Sequence, residues 1–330
     1  MKLLKTIESE FWWYVARHCD YATFFHTPLW QELALRMHPE FADASVGFIS
    51  PRGVHAVLPL LATKRMGPLQ SLLSTFEYCY GGIIADGELS DEDVTTMYQL
   101  ACDWNVTGMR LLENPIAPRL DLSAQFQGTG YHSYIVKLDA DFDTVFGRFA
   151  KSQRNAYRKG IKEGVTIDLV ETLDDYRAYY GVYQDTIQRW GEDPSTYGYG
   201  WDLFATIFEY AQQYPETIKL WVARIDGEIV GGTIGFYWQR HVVAWHGCIA
   251  TAYLKHKTNV VLDTEIIRDA LARGYAYYDF NPTGDLNPGI DDYKKRLGST
   301  IYPVTSWQYE NALVQQARQR VATIRQMVSR

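Results

Sequence analysis

Residues 218–249 read IKLWVARI-DG-EIVGGTIGFYW-QR-HVVAWHGCI. Three runs rich in β-branched and aromatic residues are separated by two short breaks, the pattern of strands joined by tight turns. Asp226-Gly227 is a strong two-residue hairpin signal, because the turn that fits twisted strands needs positive φ at both central positions. The stretch predicts a meander of three antiparallel strands, Ile218–Ile225, Glu228–Trp238 and His241–Ile249. Strand alternation puts His241 and His246, five residues apart, on opposite faces, so they are not expected to share a metal ion.

Working outward, a helix is expected over about Asn259–Ala272, stopped by Gly274. A strand at Tyr275–Phe280, a Gly/Pro/Asn loop, a short helix near Asp291–Leu297 and a last strand at Ile301–Tyr309 follow. Upstream, one long helix is expected over Phe142–Lys162. A second starts near Thr172, with Asp175 three residues on, and ends at Trp190-Gly191. The first 140 residues repeat this order more weakly. After the aromatic opening Phe11-Trp12-Trp13-Tyr14 come a helix at Leu29–Arg36 and strands at Ser45–Ile49 and Val54–Ala62, joined by Pro51-Arg52-Gly53. A helix capped by Ser90 and Asp93 runs to about Trp104, with strands at Met109–Glu113 and Tyr131–Leu138. Domains are therefore expected at 1–140 and 141–310. Residues 311–330 read as a C-terminal basic amphipathic helix carrying Arg318, Arg320, Arg325 and Arg330, a packed helix with a solvated basic face or a contact for an anionic membrane surface or RNA.

Composition narrows the function. The 330 residues carry a net charge of −7, so broad attraction to nucleic acid is not expected and DNA is excluded as a partner. No apolar run approaches the ~20 residues of a membrane span. Glu8 and Glu10 interrupt any apolar signal region, and the four cysteines, Cys19, Cys79, Cys102 and Cys248, lie far apart, as in a reducing compartment. A cytoplasmic protein without a metal site is expected, since no cluster has zinc-ligand spacing. The abundant aromatics suit cores and also sites for sugar or nucleotide rings.

Three segments carry chemistry. Arg148, Lys151, Arg154, Arg158 and Lys162 recur every three or four positions, with no acidic residue from Thr144 to Lys162. On a helix this gives a face of unneutralised cations, suited to a phosphate-bearing ligand or simply to water. Tyr278-Asp279-Phe280-Asn281-Pro282-Thr283-Gly284-Asp285 delivers Asp279 to a strand end and then a polar loop with Asn281, where ligands of α/β folds gather. Asp279 or Asp285 is placed to orient an acceptor amine or take its proton, or to cap the turn. Tyr293-Lys294-Lys295-Arg296-Leu297-Gly298 follows, and Lys294 is placed to stabilise charge on a reacting carbonyl, or is part of a basic surface turn.

Three strands, a helix, a strand, a helix and a strand is the element order of the GNAT acyltransferase core. The segments Phe25-His26-Thr27-Pro28-Leu29-Trp30, Lys151–Gly160 with Gly164-Val165, Leu220–Phe236, and Tyr278-Asp279-Phe280 leading to Tyr293–Gly298 together resemble the FemAB family. The resemblance implies an α/β (α+β) fold of two tandem GNAT-like domains, each a mixed, mostly antiparallel sheet flanked by helices. It implies transfer of an aminoacyl or acyl group onto an amine of a cell-envelope precursor, a UDP-linked or lipid-linked glycan or peptide. The donor would be aminoacyl-tRNA or acyl-CoA, with no tightly bound cofactor, and the place of work the cytoplasm, at the inner face of the membrane. Arg154 and Arg158 match the family's basic helix and Lys294 its late aromatic-Lys motif. With Lys151 and Asn281 as further binding residues and Asp279 as the second catalytic candidate, these are the expected site.

Two departures matter, one from GNAT enzymes, which FemAB relatives share, and one from FemAB itself. GNAT enzymes that use CoA hold its pyrophosphate on a Gly-rich turn before the helix that follows the meander. Here that stretch is Tyr253-Leu254-Lys255-His256-Lys257-Thr258-Asn259, without glycine. The inserted coiled-coil arm of some tRNA-using FemAB members has no counterpart heptad pattern. A CoA-dependent N-acyltransferase acting on an amino sugar or small amine, and a non-catalytic protein binding a nucleotide sugar or an envelope partner, are the alternatives.

Overall fold

The structure, a computed structural model, describes residues 1–74, 76–77, 79–119, 121–282 and 288–311. Thr283, Gly284 and Asp285 and the expected C-terminal basic helix lie outside them. The described residues form two units: 1–131 with 303–311, and 132–302. The sequence reading draws its line near Ala140 and gives the last strand to the second half.

The first unit opens with β1 (Lys2–Leu4), α1 (Ser9–His18) and α2 (Pro28–Met37). Then come β2 (Ala42–Asp43), β3 (Val46–Ile49), β4 (His55–Leu58), β5 (Leu61–Met66), β6 (Leu69–Leu73) and β7 (Ile84–Ala85). α3 (Asp91–Ala101) and β8 (Val106–Leu112) follow. Ser90 and Asp93 cap α3 reciprocally, as expected, satisfying two backbone N–H groups that a helix start leaves free. One sheet runs β1-β3-β4-β7, all antiparallel. Phe48, Leu58, Met97, Tyr98, Met109 and Leu111 fill the core of this unit. The single strand expected at Val54–Ala62 is two, β4 and β5, in different sheets.

β9 (Gln127–Lys137) leads into the second unit. α4 (Phe142–Gly147) and α5 (Lys151–Lys162) replace the single helix expected over Phe142–Lys162. The break has a cause distant in the sequence. The N–H of Ala150 is taken by the carbonyl of Arg296 (2.8 Å), and Gly298, at φ +74°, closes on Arg148. β10 (Thr166–Val170), α6 (Leu173–Arg189) and α7 (Trp201–Gln213) come next. The meander β11 (Ile218–Ile225), β12 (Glu228–Trp238), β13 (His241–Ile249) has the expected bounds, and Asp226 and Gly227 take φ +51° and +85°. α8 (Thr258–Ala272), β14 (Tyr277–Asp279) and α9 (Pro288–Arg296) follow, and then β15 (Thr300–Glu310), which pairs with β8 in the first unit.

Strands of the second unit lie in the order β10-β11-β12-β13-β14-β9, antiparallel except for β13 beside β14. The fold is thus mixed α/β, with helices flanking mostly antiparallel sheets. Tyr134, Val136, Tyr237, Val242, Ile266, Tyr278 and Leu297 build the core on the α8 side. α5 lies against α8 through Gly160, where an added Cβ would stand 2.4 Å from the Val261 side chain. No other residue fits that approach without displacement.

Candidate active site

β13 pairs with β14 at three positions only, His241↔Tyr277, Val242↔Tyr278 and Val243↔Asp279. β14 then ends, while β13 runs on to Ile249. From Ala244 onward β13 shows no described partner on that side, so the two parallel strands part at their carboxyl ends. Openings of this kind are where α/β sheets bind ligands.

On its other edge β13 carries a bulge. Gly235 pairs with Ala244 but Ile234 with His246, leaving Trp245 as an extra residue. The extra residue resets the alternation. His241 and His246 therefore share a face, not the opposite faces that a regular strand predicts. They still serve separately, and among the described residues no group of His, Cys, Asp and Glu is arranged to hold a metal ion.

His246 sits among rings. Its Nδ1 is 2.7 Å from the Tyr179 hydroxyl, which also donates to the His246 carbonyl (3.1 Å). Ring centres of Tyr183 (4.6 Å), Phe204 (5.3 Å), Trp245 (5.8 Å) and Tyr199 (6.0 Å) surround it. α6 supplies Tyr179 and Tyr183 because Tyr176, Tyr179 and Tyr183 recur at helical spacing on its buried face. Desolvation by this surround lowers the His246 pKa to about 4, so the imidazole is neutral at physiological pH. Burial holds the Tyr179 hydroxyl well above its ordinary value, hence protonated.

The loop after β14 is held from two sides. Asp279 has no exposed surface, and its carboxylate accepts from Ser133 Oγ (2.9 Å), the Asn281 N–H (2.8 Å) and His241 Nε2 (3.0 Å). Asn281 takes a left-handed backbone, φ +61°, a conformation Asn tolerates better than most residues. Lys294, 6% exposed, donates from Nζ to the carbonyls of Phe280 (3.0 Å) and Asn281 (2.9 Å). Burial lowers the Lys294 pKa to about 8, against the pull of the Asp279, Asp291 and Asp263 carboxylates. Its helix is tied down beside it. Asp263 of α8 accepts from the hydroxyls of Tyr278 (2.6 Å) and Tyr293. Asp279, Asn281 and Lys294 thus come together in one cluster.

The basic helix is arranged differently. Arg148 pairs with Asp139 (2.6 Å), and Arg154 Nη1 donates to the carbonyls of Gly147 (3.0 Å) and Phe149. Arg148 is therefore neutralised, against the expectation, whereas Arg154 keeps its charge but spends a donor on backbone carbonyls. The chain turns between α4 and α5, so Arg154 reaches back to carbonyls that the end of α4 leaves free. Arg158 donates to Asn155 (3.4 Å) and lies over Phe146. Lys151 is exposed in the first turn of α5.

A six-residue 3-10 turn, Thr251–His256, and a left-handed Lys257 precede α8 where a Gly-rich turn would be expected for CoA. The start of α8 has no side-chain cap and no acidic residue in its first turn. Sequence reasoning missed His246, Tyr179, Ser133 and His241. The signal for His246 lay in the Trp245-His246 pair, which reads differently once a bulge is placed there.

Residues 147–295 match the family described as “Acetyltransferase (GNAT) domain”. No curated protein sequence matches the chain. Among solved structures, FemX superposes with a TM-score of 0.73 at 12% identity, covering 97% of this chain and 100% of that one. The C-terminal domain of a putative lysylphosphatidylglycerol synthetase from Agrobacterium fabrum gives 0.60 at 13% identity, covering 96% of each chain. A tandem GNAT protein from the clavulanic acid biosynthesis pathway gives 0.52 at 13% identity, covering 94% of this chain and 98% of that one. The whole chain therefore shares the fold of FemX and of the tandem GNAT protein, and the parted strands β13 and β14 lie inside the stretch that matches the family. Among the described residues no helix is long and apolar enough to cross a membrane.

Proposed function

We propose that the protein transfers an acyl or aminoacyl group from an activated ester or thioester onto an amine of a cell-envelope precursor, at the cytoplasmic face of the membrane. The observation that carries this reading is the parting of β13 from β14 beside a loop fixed by Lys294. It leaves strand edge and loop backbone together at the centre of a GNAT domain. The FemX-like fold and the lysylphosphatidylglycerol synthetase neighbour support an envelope precursor as acceptor.

The acceptor amine attacks the donor carbonyl directly, and the enzyme works by holding both substrates in line and by stabilising charge. Lys294, charged below about pH 8, offsets the negative charge that builds on the acyl oxygen and keeps the Phe280 and Asn281 carbonyls in place. Asp279 gives the loop its shape; its carboxylate already serves three donors, so it orients rather than exchanges protons. Asn281 lines the loop. Lys151 and Arg158 reach the phosphates of donor or acceptor, while Arg154 sets the start of α5.

A CoA thioester is the second donor reading. It is favoured by the GNAT match and by the uncapped start of α8, flanked by Lys255 and Lys257, where free N–H groups suit phosphate. The protein should be incubated with acetyl-CoA or alanyl-tRNA and with a UDP-linked muramoyl pentapeptide or glucosamine, and products followed by mass. A mass gain of one acyl group on an acceptor is the expected result, and the productive donor decides between ester and thioester. A thermal shift without any product, for which a ligand at 100 times its Kd would add about 2.7 kcal/mol, overturns the enzyme in favour of a binding protein.

A further inference from the structure

We propose that His246 is the general base of the transfer, taking its proton from an acceptor amine that binds uncharged beside the rings of Tyr183, Tyr199, Phe204 and Trp245. This rests on the transferase reading above.

Position comes first. His246 lies three residues beyond Val243, the last residue of β13 that pairs with β14. The bulge at Trp245 turns it to the face of α6 and α7. His246 is partly exposed, and Nδ1 is engaged by Tyr179. Among the described residues Nε2 takes no bond, so it is the nitrogen that can receive a proton. Tyr179 fixes the ring and is the positioning residue.

Surroundings decide the charge state. The groups facing His246 are the hydroxyl of Tyr179 and the ring of Tyr183 from α6, and the ring of Tyr199 from the segment before α7. Phe204 comes from α7, Ile234 from β12 and Trp245 from its own strand, where Cys248 lies beside Tyr179. Burial raises the pKa of the Tyr183 hydroxyl and that of the Cys248 thiol, the latter to about 12, so both stay neutral. The nearest charges on α6, Asp185 and Arg189, are bound to Thr251 and the Ile249 carbonyl further along. Among the described residues no carboxylate faces it, so an ammonium ion would have only the ring faces to offset its lost hydration, which is less than that loss costs, and the neutral amine is favoured. That is the form with a lone pair to attack.

The step balances simply. The amine nitrogen forms a bond to the donor carbonyl carbon and becomes cationic and strongly acidic. It then loses a proton to Nε2. The carbonyl–oxygen or carbonyl–sulfur bond breaks, and its electron pair leaves with the donor's oxygen or sulfur, which takes the proton from the imidazolium. A weak base suffices because the proton comes from the cationic adduct rather than from a free amine.

The test uses the full chain with the donor and acceptor pair that turns over. His246→Gln should lower kcat about 100-fold with KM within about threefold, and its melting should stay close to wild type. In His246→Ala, added imidazole should restore part of the rate while leaving wild type unchanged, a readout that a packing role would not move. In wild type, kcat at saturating acceptor should stay flat down to about pH 5. A His246→Gln variant within threefold of wild type, or a wild-type acid limb near 6.5, overturns this proposal and leaves the transferase reading standing. Failure of wild type to turn over any donor overturns both. If both variants fail to fold, the wild-type profile alone decides.

Discussion

Two histidines share one face of β13 and do opposite work. His241 has no exposed side-chain surface and its Nε2 is tied to the buried Asp279 carboxylate. His246 is partly exposed, has no carboxylate within reach among the described residues, and is neutral because rings surround it. A charge partner turns an imidazole into a strut, whereas its absence leaves a nitrogen available for a substrate. The cations divide in the same way. Lys294 and Arg154 hold backbone carbonyls, while Lys151 stands in solvent. Similar residue types thus fall into supports and contacts, and the division can be broken residue by residue.

The largest effect is expected at Asp279. Asp279→Ala strips His241, Ser133 and the Asn281 N–H of their acceptor at a site with no access to water. Each donor left without its acceptor costs about 1–3 kcal/mol, so the three together should cost about 3 kcal/mol or more. Urea unfolding should show that loss. A loss below about 1 kcal/mol would mean that the His241–Asp279 pair is no strut and that the contrast with His246 fails.

Next comes Lys294. Lys294→Met removes two bonds to the loop carbonyls but also relieves a buried charge, so stability should change by no more than about 1–2 kcal/mol. Turnover should fall at least tenfold, because loop shape and charge are lost together. An unchanged rate would take Lys294 out of the mechanism. Its titration gives a separate signature. A lysine lowered from 10.5 to about 8 loses its charge through pH 8, so wild-type activity should decline above that point. Stability runs the other way. Between about pH 8 and 10.5 the unfolded chain binds more protons at this group than the folded one, so its contribution to stability rises with pH. Lys294→Met should lose that rise.

How far the sequence exposed these features follows from their range. The meander was legible to the residue because each strand is set locally and Asp226-Gly227 admits one kind of turn. Asp279, Asn281 and Lys294 could be named because a strand end, its loop and the next helix are neighbours in the chain. α7 escaped, although Leu203, Phe204, Ile207 and Tyr210 show helical spacing, because a long Gly-containing segment hides its start. The split of α4 from α5 depends on Arg296 and Gly298, more than 140 residues downstream, and no local pattern reports it. His246 was set aside by strand alternation, a rule that the bulge at Trp245 suspends. What was missed rests on one long-range contact or one extra residue, neither of which periodicity detects.

The smallest effects separate the two kinds of cation on α5. Arg154 spans Gly147 and Phe149, so Arg154→Ala should cost about 1 kcal/mol of stability while leaving ligand affinity near wild type. Lys151 has neither ion pair nor backbone bond among the described residues. Lys151→Ala should leave stability within about 0.5 kcal/mol of wild type and weaken binding of a UDP-linked acceptor about fivefold, or roughly 1 kcal/mol. Calorimetric titration beside thermal melting distinguishes the two variants. If Arg154→Ala weakens binding and Lys151→Ala does not, the phosphates are gripped from the middle of α5. The bonds that Arg154 makes to Gly147 and Phe149 would then have to open when the substrate arrives.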